Sequence, residues 1–464
     1  MFDRWKGPGG YRHVLNVSLP LVVSMGSLTL MLFTDRLFLS RYSIDTISAA
    51  MPAGIASFLF ISFFMGIAGY LNVFVAQYTG AGRKERVGAS LWQGIYFSIG
   101  AYFILASLFW IAGPLFSLAG HSPEIRRLEV IYFRVLILGA GTSVLGPALA
   151  SFFSGRGLTR VVMITNLMGA GINIPLDYCL INGVGPFPEL GILGAGIATI
   201  TAHASIALIL AVLIFNKKND REFGVIRHRE FDRDVFVRLM RFGLPNGIQF
   251  FIDLFAITAF VFLVGRLGKE ALAATNIVFS ISTLAFLPMI GFGLGVSILV
   301  GQALGRNRPW EAETATRSTV HITFCYMLSV AMIFVIAPEW LLGLFRTRAH
   351  VTDNYEDILR RGVVLLRFVA FYSLFDTLFI VYASAIKGAG DTRFVMWSTG
   401  ILSLGIMVIP VYIAVFYLGA GLYSTWTAIT AYICLAGLLF RWRYFQGKWK
   451  TMRVIEHHPP ILES

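Results

Sequence analysis

The sequence predicts an all-α membrane protein whose twelve transmembrane helices form two parallel lobes of six helices each. Three observations support this fold class. Only 14% of the 464 residues are charged and 56% are hydrophobic, with a mean hydropathy of +0.72. Twelve apolar runs are long enough to cross a bilayer, and the second half of the chain repeats features of the first. A soluble domain would carry about 25% charged residues, so the composition excludes that class.

Each of the twelve runs contains about 20 or more mainly apolar residues, the length that crosses roughly 30 Å of hydrocarbon. Glycine and proline inside the runs are compatible with a membrane, because packed neighbours satisfy the backbone groups that these residues free. The second and eighth runs are long enough to be tilted or bent. The predicted spans are 14–38, 47–79, 88–113, 128–154, 161–183, 191–215, 236–265, 271–304, 316–345, 361–386, 394–418 and 420–443.

The distribution of charge predicts the orientation of the spans. An even number of spans places both chain ends on one membrane face, and the linkers on that face carry a clear excess of Lys and Arg over Asp and Glu. The positive-inside rule therefore predicts cytoplasmic termini for a protein of the inner (cytoplasmic) membrane. The net charge of +13 resides in short segments between apolar runs and forms no basic face suited to nucleic acid.

The two halves of the chain repeat at a constant spacing. Leu19-Pro20 matches Leu244-Pro245, and Gln77-x-x-Gly80 matches Gln302-x-x-Gly305, in both cases 225 residues further along. Six spans per repeat give both halves the same orientation, which predicts a pseudo-two-fold axis along the membrane normal and a substrate pathway between the lobes. The predicted domains are an N-lobe at 1–215, a cytoplasmic linker at 216–241 and a C-lobe with a cytoplasmic tail at 242–464.

Four carboxylates lie well inside the predicted spans: Asp35, Asp177, Asp253 and Asp376. An ionised Asp near the centre of a bilayer costs roughly 2.5–3.5 kcal/mol on insertion scales, so such residues usually face a protein interior or a wet cavity. None of the four has an acidic counterpart at the matching position of the other half. Because duplication kept the scaffold but not the charges, the pattern favours a functional role for the group. Any single one of them also fits a plain interhelical hydrogen bond.

The segment from Asn173 to Asp177 concentrates polar groups in an otherwise apolar run. Asn173 and Asp177 are four residues apart and share one helix face. Pro175 has no N–H, so the carbonyl one turn earlier loses its usual donor. These groups can form half of a cation site. The alternative is a proline-kinked helix whose Asn and Asp hydrogen-bond to a neighbouring helix.

Asp35 in the first span and a hydroxyl from the sixth span can complete this site. Thr199 is preferred over Thr201 for the hydroxyl, and the resulting all-oxygen set suits a hard ion such as Na⁺. A proton can neutralise the same carboxylates, and the pattern does not separate the two ions. Asp253 and Asp376 each lie about 16–18 Å from the cytoplasmic end of their spans, at 1.5 Å per residue, and form a second acidic set near the midplane.

The sequence contains no Walker A motif, no HExxH motif and no nucleophile elbow. An enzyme or an ATP-driven pump is therefore not expected, no cofactor is expected, and transport would draw on an ion gradient. Neither disulfide nor zinc spacing is found among the cysteines, which are Cys179, Cys325 and Cys434.

Three motifs resemble the multidrug and toxic compound extrusion (MATE) family. They are Asp35 in the first span, Gly155-x-Gly157-x-x-Arg160 ahead of Asn173-x-x-x-Asp177, and Lys387-Gly-Ala-Gly-Asp-Thr-Arg393. The resemblance covers essentially the whole chain, and the two acidic sets are similar to those of the NorM-type bacterial branch. It implies the MATE fold and a secondary active antiporter that exports organic cations and amphipathic drugs in exchange for Na⁺ or H⁺ by alternating access of the lobes.

The resemblance also implies roles for particular residues. Asp35, Asn173, Asp177 and Thr199 match the cation site of the N-lobe, with a possible Na⁺ at the first three. Asp376 matches the acid of the C-lobe. Asp253 stands where the NorM-type branch typically has Glu, and its shorter side chain reaches less far.

Two other functions fit the same architecture. A lipid-linked precursor flippase on a related scaffold would line its cavity with Arg or Lys to hold phosphate, whereas the charges deep in these spans are carboxylates. A passive channel or receptor would not depend on a Na⁺ or H⁺ gradient. The expected partners are small-molecule drugs and the lipid bilayer, and a monomer is expected because the lobes bury one another.

Overall fold

The computed structural model describes residues 5–345 and 355–456, and all regular secondary structure in these ranges is helical. Twelve long helices coincide with the twelve predicted spans, so the predicted fold class is confirmed. Eleven of them are long and apolar enough to cross a membrane. The twelfth, α5, has 24 residues and contains Asn173 and Asp177. Helices α1 to α12 are Tyr11–Tyr42, Ile44–Gly80, Lys84–Ser117, Pro123–Ser154, Thr159–Asn182, Ile192–Ile214, Arg233–Gly265, Lys269–Gly305, Pro309–Ile336, Tyr355–Ala389, Thr392–Phe416 and Leu422–Phe445.

Helix α9 ends earlier than predicted. The predicted span runs to residue 345, but α9 ends at Ile336 and a separate short helix, Pro338–Gly343, follows. A proline has no N–H to continue the hydrogen-bond ladder and disfavours helical geometry in the residue before it. Ala337 accordingly leaves the helical region, with φ −127° and ψ 44°.

Packing divides the chain into two compact units. The first consists of Met1–Val22, Ile252–Val300 and Pro309–Met452, and the second of Val23–Phe251, Gly301–Arg308 and Arg453–Ser464. Helices α1, α7 and α8 therefore each contribute to both units. The predicted boundaries of the lobes follow the order of the chain rather than its packing, and they stay a prediction.

Small residues allow the helices of the second unit to pack closely. A Cβ atom built at Gly194 of α6 would lie 2.5 Å from the carbonyl oxygen of Leu180 in α5, and one at Gly139 of α4 would lie 2.1 Å from Ile200 in α6. Close approach through small residues is the usual way in which membrane helices associate. Helices α4, α5 and α6 are thus held together around the polar residues of α5.

The repeated Gln-x-x-Gly motifs also pack against each other in the second unit. A Cβ atom at Gly80 would lie 2.1 Å from the carbonyl oxygen of Gln302, and one at Gly305 would lie 2.1 Å from the carbonyl oxygen of Gln77. The two ends of α2 and α8 therefore cross with their backbones in contact. This reciprocal contact explains why both copies of the motif contain glycine.

The last described residues of the chain, Arg453–Glu456, dock on the second unit. The backbone N–H of Val454 donates to Oε1 of Gln77 at 2.9 Å, and Val454 is fully buried. The Glu456 carboxylate accepts from the Tyr78 hydroxyl at 2.8 Å and from Nη2 of Arg86 at 2.6 Å. We refer to these four residues as the tail segment.

Glu456→Gln is expected to loosen the tail segment at neutral pH. Burial alone would raise the pKa of Glu456, but a backbone amide, the Tyr78 hydroxyl and the Arg86 guanidinium outweigh it and lower the pKa below its usual value. A depressed carboxyl pKa stabilises the docked state above the unfolded pKa of about 4.3, and the contribution is lost as the pH falls through the folded pKa. At pH 7 the tail segment of the variant should therefore be as loosely docked as that of the wild type in acid.

Hydrogen exchange of the Val454 amide measures this effect. Exchange should be roughly threefold to tenfold faster in the variant, because the ion pair is partly solvent-screened. Glu313→Gln is the control, since it removes an exposed ion pair with Lys450 just before the tail segment. Equal exchange in Glu456→Gln and the wild type would show that the carboxylate does not hold the tail segment.

Candidate functional site

A small apolar cluster fixes the positions of α1, α5 and α6 relative to one another. Met31 of α1, Ala170 of α5 and Ala202 of α6 are buried against each other, with exposures of 5%, 4% and 0%. The two alanines leave room for close approach of the helices. The cluster therefore fixes how the three helices are aligned, and so which of their other residues lie opposite one another.

The polar residues predicted from the sequence lie on one side of this cluster. Consecutive membrane spans alternate in direction, so α1 and α5 are expected to run the same way and α6 the opposite way. Asp35 comes four residues after Met31, whereas Asn173 and Asp177 come three and seven residues after Ala170. Residues three, four and seven apart share a helix face. Their side chains accordingly approach each other from α1 and α5.

Asp35, Asn173 and Asp177, which we call the N-lobe set, are deeply buried. Their exposures are 6%, 1% and 0%. The two carboxylates are close enough for their charges to interact, and the amide of Asn173 lies beside Asp177. The hydroxyl of Tyr132, in α4, donates to Oδ2 of Asp35 at 3.1 Å. The prediction that Asp35 and Asp177 come together in space agrees with this placement.

Most polar atoms of the N-lobe set have no hydrogen-bond partner among the described residues. These are Oδ1 of Asp35, both carboxylate oxygens of Asp177, and both Oδ1 and Nδ2 of Asn173. More than about 90% of buried polar groups in proteins are paired, and leaving one unpaired costs roughly 1–3 kcal/mol. The structural alternative, in which Asn173 and Asp177 hold α5 to a neighbouring helix, requires bonds that the described residues do not make. The arrangement instead leaves acceptor oxygens available for a cation or for protons.

Thr199 lies in α6 on the same side of the apolar cluster, three residues before Ala202. It is half-buried and makes no hydrogen bond to the N-lobe set in the part of the chain that the structure describes. The hydroxyl of Thr201 donates to the carbonyl of Ile197 at 2.7 Å, which leaves Thr199 as the better candidate. Its role as a ligand stays a prediction.

Tyr132 is a site residue that sequence reasoning missed. It lies in the first turns of α4, between Glu129 and Arg134, and looks like one of many aromatic core residues. The available signal was its hydroxyl, because a buried Tyr usually places its O–H on a partner. Among the described residues, its contact with Asp35 leaves one carboxylate oxygen of Asp35 without a hydrogen-bond partner.

A second acidic set lies in the first unit. Asp253 of α7 and Asp376 of α10 are half-buried and close enough for their charges to interact. Tyr432 of α12 lies within the field of both carboxylates. Lys387 interacts electrostatically with Asp253. The sequence places Lys387 in a linker, but it occupies the last turn of α10, which ends at Ala389.

The chemistry of the N-lobe set suits a hard monovalent cation or protons. Two carboxylates and an amide oxygen present only oxygen ligands, which Na⁺ prefers. No group of three or more His, Cys, Asp or Glu side chains that could hold a metal ion occurs within residues 5–345 and 355–456.

Twelve long helices in the described residues, eleven of them apolar enough to cross a membrane, together with buried carboxylates are typical of a membrane transporter. The family model for MatE matches residues 20–179 and 245–413. The chain belongs to the MatE family, and the resemblance predicted from the motifs is confirmed.

Similar proteins cover almost the whole chain. A "Probable multidrug resistance protein NorM" from Pseudomonas syringae pv. tomato is 26% identical over 449 residues, which is 95% of each chain. A MOP superfamily transporter from Pyrococcus furiosus has a TM-score of 0.86 at 21% identity over 97% of this chain and 98% of its own. A MATE protein in complex with MaL6 has a TM-score of 0.85 at 21% identity, over 97% and 99% of the two chains. These two structures share the fold of this chain.

Proposed function

We propose that the protein is a multidrug efflux antiporter that exchanges organic cations and amphipathic drugs for Na⁺ or H⁺. The observation that carries the proposal is the N-lobe set, in which two buried carboxylates and an amide share one place and leave most of their polar atoms unpaired. The transporter acts as a monomer in the inner membrane, with both termini in the cytoplasm. The relative from Pseudomonas syringae, described as a probable multidrug resistance protein, supports the choice of substrate class.

The N-lobe set suggests how the coupling ion acts. Asp35 and Asp177 repel each other when both are ionised, and burial makes this repulsion costly. A cation or a proton that binds there removes the repulsion. An ion shifts the balance between two states of a transporter only if it binds one of them more tightly. The N-lobe set therefore biases the protein toward the state that holds the ion, and the drug need not share its site.

The second acidic set has a related role in this proposal. Asp253 and Asp376 respond to the charge of the bound cargo, while Lys387 partly neutralises Asp253. A carboxylate can be neutralised by an organic cation as well as by an inorganic ion. This set is the candidate for coupling to the drug or to a second cation.

A lipid-linked precursor flippase remains the second candidate. One structural relative is described as having a binding pocket of reverse polarity that suggests a different function, so the fold supports more than one cargo. A flippase would need cationic groups to hold phosphate. The buried titratable groups described above are mainly carboxylates, which favours cationic cargo.

Drug transport with imposed gradients tests the proposal. Purified protein in proteoliposomes should move a fluorescent organic cation against its gradient only when an opposing Na⁺ or H⁺ gradient is present. Each gradient is collapsed in turn, with Na⁺ titrated at several pH values to identify the coupling ion. Transport that survives the loss of both gradients would point to a passive channel, and movement of a polyprenyl-phosphate lipid instead of the drug would point to the flippase.

A further inference from the structure

Four arginines line one groove in the second unit, at the beginning of α7. Its volume is about 690 Å³. Three of the arginines belong to the first three turns of α7, and the fourth belongs to the tail segment. The lining, which we call the arginine groove, consists of Arg233, Asp234, Val237, Arg238, Arg241, Phe242, Arg453 and Ile455.

The positive charge of the three arginines that α7 contributes to the groove is only partly balanced by the described side chains around them. Asp234 is the one carboxylate among its lining residues. Arg233, Arg238 and Arg241 form no ion pair within 4.0 Å with any residue of the described part of the chain. Glu456 interacts with Arg238 electrostatically, but its carboxylate is already bound by Tyr78 and Arg86. The part of the groove formed by α7 therefore has a net positive charge available to an anion.

Arg453 brings a partly desolvated guanidinium into the same groove. It is half-buried and contacts Oδ1 of Asn307 at 3.4 Å. Burial lowers the pKa of Arg453, because water is withdrawn from its charged form. An anion in the groove would restore part of the lost solvation.

The position and the apolar lining indicate what kind of anion fits. Helix α7 starts in the groove and continues as a membrane-spanning helix, so the groove lies at the edge of the bilayer. Val237, which is exposed, and the partly buried Phe242 add apolar surface that a free inorganic anion would not use. Arg forks bind phosphate oxygens in pairs, and basic juxtamembrane segments attract acidic lipids. The positive-inside rule explains why arginines lie near a membrane face. It does not explain why the arginines of α7 share a groove with Arg453 of the tail segment.

We propose that the arginine groove binds the phosphate-bearing headgroup of an acidic phospholipid. The phosphate lies between the guanidinium groups of α7 and Arg453, and the glycerol end of the lipid lies against the apolar residues. The bound lipid thereby ties the tail segment to the start of α7. The proposal does not depend on which cargo or ion the protein transports.

Native mass spectrometry of the full-length protein with phosphatidylglycerol and phosphatidylcholine tests the proposal. The wild type should retain phosphatidylglycerol with at least about a fivefold preference, because several charge-assisted contacts act together. The variant Arg238→Gln with Arg241→Gln should lose this preference, and Arg453→Gln should weaken it. Arg221→Gln with Arg229→Gln is the matched control, because it removes the same charge from exposed positions outside the groove.

A second measurement separates the lipid from free phosphate and from misfolding. Short-chain phosphatidylglycerol should raise the melting temperature of the wild type and of the control but not that of the Arg238/Arg241 variant, whose elution profile should match the wild type. Inorganic phosphate alone should have little effect. If inorganic phosphate stabilises the wild type as strongly as the lipid does, the groove is a site for a soluble anion and the lipid proposal is wrong. Equal phosphatidylglycerol retention by all variants would also overturn it.

Discussion

Asp177→Asn is expected to abolish gradient-driven drug efflux while leaving the amount of folded protein in the membrane unchanged. Asparagine has nearly the shape of aspartate but carries no charge that a cation or proton could neutralise. Both carboxylate oxygens of Asp177 are buried without a partner in the described structure. Removing this charge also removes its repulsion with Asp35, so the stability of the protein should stay the same or rise. The loss of ion-dependent efflux should be about tenfold or more.

Related substitutions should give graded effects. Asp35→Asn should match Asp177→Asn, because the two carboxylates share one electrostatic environment. Tyr132→Phe removes only the hydroxyl that donates to Asp35, so it should change the ion concentration needed for half-maximal efflux without abolishing transport. Asp45→Asn, at an exposed position in the first turn of α2, should behave as the wild type.

Efflux from proteoliposomes with an imposed gradient, together with the amount of monodisperse protein after purification, measures both parts of this prediction. Normal efflux in both Asp→Asn variants would remove the N-lobe set from the mechanism. A loss of folded protein in these variants, with Asp45→Asn unaffected, would instead support a structural role for the buried carboxylates.

The helices could be predicted from the sequence because the bilayer imposes a simple rule on length and polarity. Each apolar run long enough to cross the membrane became a helix, including α5, which falls below the hydropathy of the others because of Asn173 and Asp177. The end of α9 was predicted wrongly, since the apolar run continues past Ile336 while the geometry of Pro338 interrupts the helix. Hydropathy does not register such local steric constraints.

The N-lobe set could be proposed from the sequence because a charge in a membrane span is costly and therefore conspicuous. The residues that surround the N-lobe set could not be predicted from the sequence, because they depend on which helices are neighbours. Tyr132 contacts Asp35 across 97 positions of the chain, and the tail segment reaches Gln77 across 377 positions. Neither pairing leaves a periodic pattern in the sequence. For the same reason the arginine groove, which joins α7 to Arg453, becomes visible only in the folded protein.

Gly80→Ala and Gly305→Ala are expected to destabilise the protein strongly, although each adds only one methyl group. The added Cβ would lie 2.1 Å from a backbone carbonyl oxygen, that of Gln302 for Gly80 and that of Gln77 for Gly305. Real Cβ atoms essentially never approach closer than 3.0 Å. A backbone cannot rotate out of the way as a side chain can, so α2 and α8 must separate. Overpacking of this kind costs about 1–3 kcal/mol, and occasionally more.

The matched control, Gly69→Ala, is not expected to destabilise the protein. Gly69 lies in the same helix, α2, and no atom of a neighbouring element lies within 4 Å of the position that a Cβ would occupy there. Gly69→Ala should therefore leave stability unchanged or raise it slightly, because Ala favours a helix over Gly by up to about 1 kcal/mol. Thermal unfolding of the purified proteins, followed by loss of the monodisperse peak, compares the three variants. Equal melting temperatures for Gly80→Ala and Gly69→Ala would mean that the crossing of the two Gln-x-x-Gly motifs is looser than the contact distances imply, and the motif would then need an explanation other than close packing.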